Sequence, residues 1–217
     1  MNVAQKWSLC LFLTATAVIG SYFWLDQSIA LIAHNQSQRF HVFELLTQIP
    51  EYMAPIVLVF IVALGLWALA GRPLTRFETV VTLAGASMAV AELIKDQLKF
   101  VFGRTWPETW VRNNPSFIQD GVYGFNPFHG GPGFASFPSG HATAICAVMS
   151  VLWICYPRFR SLYAVAIVVV AIGLIGADFH FLSDVIAGGF LGTSIGWFTV
   201  SVWEAGARPL RPVTEQE

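Results

Sequence analysis

An all-α integral membrane protein is the fold class this sequence predicts: six transmembrane helices in a bundle, with a folded extracytoplasmic cap between the third and fourth. Three observations predict it. Of the 217 residues, 55% are hydrophobic and only 12% charged, with a mean hydropathy of +0.61, whereas water-soluble domains carry about 25% charged residues. Six apolar windows approach the roughly 20 residues that a helix needs to cross the hydrocarbon core. The cations of the short connections sort by side, as the positive-inside rule requires.

The first window, 7–25, follows Lys6. Its flanks resemble a signal peptide, but no small-residue cleavage site follows, so it reads as a span. Segment 26–51 contains His34, Arg39, His41, Phe43 and Leu45 and reads as an outer connection with an amphipathic helix lying in the interface. Windows 53–70 and 79–100 are the second and third spans, joined by a turn holding Arg72 and Arg76. Segment 103–138 is long, rich in Gly, Asn and Pro, and carries Trp106, Trp110, Tyr123, Phe125, Phe128 and Phe134. A connection of that length is functional or disordered, and the aromatics argue for a folded cap. Windows 141–156, 162–179 and 182–203 complete the bundle, with Arg158 and Arg160 between the first two of these. No repeat or soluble second domain is visible, and residues 1–217 read as one membrane-embedded domain.

With the N-terminus inside, Lys6, Arg72, Arg76, Arg158, Arg160, Arg208 and Arg211 all fall on the inner side. Both termini are then cytoplasmic, as expected of a multi-pass protein of a bacterial cytoplasmic (inner) membrane. Arg39, Lys95, Lys99, Arg104 and Arg112 fall outside, the disfavoured side, which points to a function for them. The formal net charge of -1 provides no basic footprint for nucleic acid. Of the three cysteines, Cys146 and Cys155 lie on one expected helix, about 13 Å apart along its axis, beyond disulfide reach.

Ionisable groups within membrane segments are costly and mark function. Lys95 and Lys99 end the third span with Arg104 beyond; Pro138-Ser139-Gly140-His141 opens the fourth; His180 and Asp184 flank the junction of the last two. His180 and Asp184, four apart, share a helix face, so the carboxylate can hold one ring nitrogen while the other points into a site. Ser139 reads equally as a helix cap or as an anion-binding donor at a helix N-terminus, with Gly140 allowing close approach. Two imidazoles among cations suit phosphoryl transfer: one attacks phosphorus, the other protonates the leaving oxygen, and cations hold the remaining oxygens. A metal triad of His141, His180 and Asp184 is disfavoured by the surrounding Lys and Arg. Glu92 and Asp96 read as partners of the nearby lysines, and His129 as a residue that orders its loop. Asp178 reads either as the partner of an outer cation or as a group that tunes the site.

With these residues the chain resembles the membrane-bound type 2 phosphatidic acid phosphatase superfamily, whose motifs are Lys-x6-Arg-Pro, Pro-Ser-Gly-His and Ser-Arg-x5-His-x3-Asp. Pro138 to His141 match the second motif completely, and His180-x3-Asp184 the latter half of the third. The resemblance implies His180 as a nucleophile forming a phosphohistidine, Asp184 as its orienting partner, and His141 as general acid. It implies phosphate contacts from Lys99, Ser139 and Gly140, and no metal or other cofactor. Two departures stand out. Trp106 occupies the first motif's arginine position, and Gly173 and Leu174 occupy the Ser-Arg of the third. Arg104 is the candidate substitute for the first vacancy; Lys95 or Arg112 are candidates for the second. The expected partner is a phosphorylated membrane lipid: a polyprenyl pyrophosphate, phosphatidate, phosphatidylglycerol phosphate or a lipid A type. The expected function is a lipid phosphate phosphatase that hydrolyses a phosphomonoester or pyrophosphate of a membrane lipid at the outer face; phosphoryl transfer to another lipid and a catalytically impaired lipid-phosphate binder are the alternatives.

Overall fold

Residues 2–37, 41–110 and 113–206 are described by the structure, a computed structural model. Arg39, Arg112, Arg208 and Arg211, to which the sequence assigns sides of the membrane, lie outside the described residues. Among those described there is no strand, only isolated bridges tying Arg104 to Phe125 and Ala135, and Trp106 to Ser116.

The chain opens with α1 (Val3–Gly20), started by a capping box in which Asn2 accepts from the Gln5 amide and Gln5 returns the bond. A π-helical turn (Ser21–Leu25) leads straight into α2 (Asp26–Ser37). Together they form one apolar rod, Val3–Gln36. This corrects the expectation of a span ending at 25 and an interfacial helix within 26–51. Asp26 does not end the helix because its carboxylate is fully buried against Arg104. The helix α3 (Val42–Leu69) likewise begins well before residue 53. Its first turns pack against α7 (Arg160–Gly176), where a Cβ added at Gly176 would lie 2.5 Å from the Phe43 ring. The apolar residues in 42–52 that suggested an interfacial helix are therefore covered partly by protein.

The helix α4 (Arg76–Phe102) starts at a capping box between Thr75 and Glu78 and ends at Gly103 in the left-handed conformation, φ 55°. A side chain at Gly103 would meet the Asn126 carbonyl at 1.9 Å, so glycine both permits the turn and admits the returning chain. The segments 103–110 and 113–138 follow, with a short helix α5 (Phe117–Asp120) and a 3-10 turn, Pro132–Phe134. Their aromatics pack on the bundle through Tyr123 against Phe181, 5.2 Å between centroids, and Trp110 against Phe179, 4.6 Å. His129 lies 4.2 Å from Phe134 within the same segment, in keeping with a loop-ordering role.

The helix α6 (Gly140–Cys155) occupies the centre, between α4, α7 and α8 (Leu182–Gly206). Val80, Leu83, Ala84 and Met88 of α4 meet Ala144, Val148 and Val151 of α6, while Ile145 and Cys146 face Val170, Leu174 and Val185. Its 16 residues span about 24 Å at 1.5 Å per residue. Among the described residues, five helices are long and apolar enough to cross a membrane: Val3–Gln36, Val42–Leu69, Arg76–Phe102, Pro157–Gly176 and Leu182–Gly206. The expected span at 141–156 is the shorter α6, surrounded by protein. Large apolar side chains exposed along α1 and α3 form the surface that such a bundle presents to lipid.

Glycines let α6 and α8 approach closely. A Cβ at Gly188, Gly192 or Gly196 would fall 2.4 Å from the Ser139 carbonyl, 2.2 Å from the Thr143 carbonyl and 2.0 Å from Ser150 Oγ respectively. This is the small-residue spacing that brings membrane helices together, and it sets the distance between His141 and the start of α8. Gly192→Val, facing rigid backbone, is expected to destabilise the protein by about 3 kcal/mol, read as a lower unfolding midpoint in detergent. An unchanged midpoint would mean that α6 and α8 are not in this contact.

Candidate active site

At the covered end of the bundle, a cavity of about 440 Å³ is lined by residues of α3, α4, α6 and segment 103–138, together with the turn before α8. Lys95, Lys99, Gly140, His141 and His180 all face it, with Glu51, Glu92, Trp106 and Trp110. Lys99, His141 and His180, the chemically active groups expected from the sequence, therefore share one space. Asp184 stands directly behind His180.

The turn 177–181 aims His180. Asp178 adopts φ 56°, a left-handed conformation that Asp tolerates, and the amides of Phe179 and His180 both donate to the Leu174 carbonyl. His180 Nδ1 lies 3.5 Å from Asp184 Oδ2 and 3.5 Å from Ser136 Oγ, which leaves Nε2 as the ring nitrogen free for the cavity. Asp184 Oδ2 also accepts from Ser136 Oγ at 2.6 Å and from the Phe181 amide at 3.0 Å. Burial lowers the His180 pKa to about 4 against the opposing pull of Asp184, so the ring is neutral and its free nitrogen carries a lone pair at neutral pH.

Across the cavity, His141 stands in the first turn of α6, with Nε2 3.4 Å from Glu51 Oε1. Ser139 caps α6 by accepting from the Ala142 amide, and its own amide donates to the Asp184 carbonyl. Ser139 is fully buried and is not on the cavity wall, so the structure places it as a cap and a tie to α8 rather than as a phosphate contact. Gly140 is on the wall, close to Lys95. Lys95 is paired with Glu92 at 2.5 Å and Asp96 at 3.1 Å, as the sequence suggested. Lys99 forms no ion pair among the described residues and sits 5.6 Å from the Trp106 ring centroid.

Arg104 departs from the expectation that it would reach the phosphate. It is fully buried and off the cavity wall. Nη1 donates to Asp184 Oδ1 at 2.5 Å and to Ser183 Oγ at 2.6 Å; Nη2 donates to Asp26 Oδ2 at 2.7 Å and to the Tyr123 hydroxyl at 3.2 Å. Burial opposes its charge, yet Asp184 and Asp26 raise its proton affinity above the ordinary arginine value. The rings of Tyr22, Tyr123, Phe125 and Phe181 surround the guanidinium. Asp26 further accepts from the Ser183 amide at 3.0 Å and from the Ser183 hydroxyl. Arg104 thus holds the carboxylate that holds His180; its Nε is a buried donor without a partner, and the residue is not on the cavity wall.

The two vacancies have physical occupants. Trp106 lies 5.1 Å from the His180 ring, anchored by its indole N–H on the Pro132 carbonyl at 2.7 Å. Leu174 is fully buried in the core shared by α6, α7 and α8. A side chain on Gly173 would meet Leu46 at 2.8 Å and the Phe43 carbonyl at 2.9 Å, so α3 packs where a serine would stand. Lys95 is committed to its two carboxylates, and Arg112 lies outside the described residues. Asp178 resolves as a partner of His34 Nδ1, 3.1 Å away, with Glu108 3.3 Å from the same nitrogen. Burial pushes the Asp178 pKa up to about 6.

The sequence reading missed Asp26, Ser136 and Glu51. Asp26 did carry a signal, as the one formally charged residue between Lys6 and Arg39. Ser136 and Glu51 carried none, because their partners are distant in sequence. Among the described residues, no group of three or more His, Cys, Asp or Glu side chains is placed to hold a metal ion.

Residues 80–207, more than half of the chain, match the family model described as the PAP2 superfamily. The chain is 28% identical to a lipid A 1-phosphatase of Rhizobium johnstonii over 203 residues, covering 90% of this chain and 79% of that one. It is 27% identical to a lipid A 1-phosphatase of Rhizobium etli, covering 90% and 83%. Its fold is similar to the crystal structure of a transmembrane PAP2 type phosphatidylglycerolphosphate phosphatase from Bacillus subtilis, with a TM-score of 0.59, 18% identity, and coverage of 94% of this chain and 97% of that one.

Removing Arg104 would leave two carboxylates buried and unpaired. Arg104→Ala is expected to cost about 3–5 kcal/mol of stability, partly recovered when Asp26→Asn is added, as read from unfolding midpoints. Lys99→Ala, by contrast, is expected to leave the midpoint nearly unchanged. An Arg104→Ala protein that unfolds like the wild type while losing phosphate affinity would put Arg104 back at the ligand.

Proposed function

Because the chain belongs to the PAP2 superfamily, a family of membrane phosphatases, we propose that it removes a terminal phosphate, as a phosphomonoester or pyrophosphate, from a membrane lipid through a phosphohistidine intermediate. The observation that carries this reading is the shared cavity. His180, backed by Asp184, and His141 face it together with Lys99, the lysine of the cavity wall that lacks a carboxylate partner among the described residues. In the reaction, His180 Nε2 attacks phosphorus and the bond to the leaving oxygen breaks. His141, protonated at that stage, transfers its proton to that oxygen. Water then attacks the phosphohistidine, with His141 taking up the water's proton, and inorganic phosphate leaves. Asp184 and Arg104 contribute by orientation: a fixed carboxylate keeps the proton on Nδ1 and the lone pair on Nε2.

Lys99 and the N-terminus of α6 at Gly140 supply the positive field for the transferring phosphoryl group. The lipid tails leave the cavity between helices while segment 103–138 covers the headgroup. In this reading α6 completes a sixth crossing, both termini are cytoplasmic, and the site lies at the outer face of a bacterial inner membrane. The names of the relatives favour a lipid A type substrate over phosphatidylglycerol phosphate, phosphatidate or a polyprenyl pyrophosphate. No metal is assigned a step, and the catalytic groups are His180, His141 and Lys99.

The test is phosphate release by purified protein in detergent, offered a panel of these lipids in the presence of EDTA. Release is expected to persist with EDTA and to vanish in His180→Ala, and Lys99→Ala is expected to slow it about 10²- to 10³-fold. Loss of release with EDTA would assign the chemistry to a metal, and turnover by His180→Ala would remove the phosphohistidine.

The low pKa of His180 also sets the pH profile. The nucleophile is neutral above about pH 4, so kcat/KM is expected to hold as pH falls through the ordinary imidazole value of 6.5 and to drop only near 4. An acid limb at about 6.5 in the wild type, coinciding with titration of the His180 ring as read by NMR, would show that His180 is more solvated than the structure has it.

A further inference from the structure

We propose, on the reading of His180 as the nucleophile, that Asp178 is its positioning residue: through His34 it pins the turn that carries His180 to the rod formed by α1 and α2. The contacts of the His180 ring itself are long, with Nδ1 3.5 Å from both Asp184 Oδ2 and Ser136 Oγ. Contacts of that length leave much of the ring's placement to the backbone of the turn 177–181. Asp178, two residues before His180, is the left-handed residue of that turn, φ 56°. Its Oδ2 lies 3.1 Å from His34 Nδ1 of α2, and its carbonyl accepts from the Trp110 indole N–H at 3.1 Å. Trp110 in turn meets the Phe179 ring, and both line the cavity.

The rod braces the nucleophile at two points. Asp26 holds Arg104, which holds Asp184 behind the ring; His34, about 12 Å further along the rod, holds Asp178 ahead of it in the chain. Glu108 Oε2 approaches the same His34 nitrogen at 3.3 Å, which joins segment 103–110 to the cluster. Stability does not account for this cluster. Asp178 is 5% exposed, and its Oδ1 is buried without a hydrogen-bond partner among the described residues. Burial, against the opposing pull of His34 and with Glu108 adding to it, pushes the Asp178 pKa up to about 6. The folded protein therefore favours the protonated carboxyl, and the stability this gives is complete below the ordinary value of 3.8 and lost as pH rises through 6. Near neutral pH the fold holds an ionised carboxylate at a cost that apolar side chains would not carry. A contact kept at such a cost two residues from the nucleophile points to the geometry of the site. Either a carboxylate or a carboxyl can bond an imidazole, so the contact adds no acid limb to the profile expected of His180.

The test follows phosphate release by the purified protein in detergent, with kcat and KM referred to folded protein. Asp178→Gly keeps the left-handed turn and removes the carboxylate. It is expected to lower kcat about ten-fold with KM nearly unchanged, short of the roughly 10²-fold that a 1 Å misplacement can cost. Asp178→Asn tolerates the turn and still offers His34 an oxygen. It is expected to keep kcat within about three-fold of the wild type and, at pH 8, to unfold at a midpoint no lower. His34→Leu is expected to match Asp178→Gly, and the double variant to be no slower than the slower single one, as two residues acting through one contact require. The His180 ring signal in NMR is expected to move in Asp178→Gly and to stay in Asp178→Asn. An unchanged kcat, a loss confined to KM, losses that multiply in the double variant, or an unaltered His180 signal in Asp178→Gly would each overturn the positioning role. So would a midpoint at pH 8 that falls in Asp178→Asn, which would make the cluster a part of the fold alone. Those outcomes leave the phosphatase reading standing. If the wild type releases phosphate from no lipid and His180→Ala changes nothing, it is the phosphatase reading that fails, and the positioning role with it.

Discussion

Arg104 carries a positive charge with no access to water, held between Asp26 on one side and Asp184 on the other. Three parts of the chain meet there: the rod that begins the protein, the segment that leaves α4, and the first turn of α8. None of these charges is tolerable alone at such burial, because an ion without a partner in a low-dielectric interior costs several kcal/mol. The three must assemble together or not at all. That mutual requirement places Asp184, and through it His180, at the head of the cavity. It also explains why the first helix runs on past an aspartate that composition alone would read as the end of a span.

The same constraint separates two jobs that cations at a phosphate site often share. Arg104 stands behind Asp184 and His180 and is not on the cavity wall; Lys99 faces the cavity with no carboxylate of its own among the described residues. Charge on the ligand side is therefore sparse, and two carboxylates share the wall with it. Trp106, beside His180, takes an arginine's place with a ring, which shapes the entrance and excludes water without adding charge.

The packing of α6 supports this arrangement. A helix packed largely within protein, with Trp153 of its last turn exposed, does not need full membrane length, and its partner α8 approaches through Gly188, Gly192 and Gly196 so closely that the α8 backbone at Asp184 accepts the Ser139 amide. His141, in the first turn of α6, and His180, in the turn before α8, are thus referred to each other through a backbone contact rather than through flexible side chains. Position is maintained by rigid elements, which is what a reaction with two proton-handling groups requires.

The membrane class, the helical architecture, the Pro-Ser-Gly-His turn and the His180-Asp184 pair were legible in the sequence, because each depends on local composition or on a spacing within one helix. The partners of Lys95 were legible for the same reason. The length of the first rod, the burial of Arg104, and the roles of Asp26, Ser136 and Glu51 were decided only by tertiary structure. A charge in an apolar run reads as an end or a surface until its counter-ion is known, and that counter-ion lies 78 residues away for Asp26. The same holds for Arg104: in sequence it is a cation near a vacant arginine position, and only the folded chain shows its guanidinium to be committed to two carboxylates of its own protein.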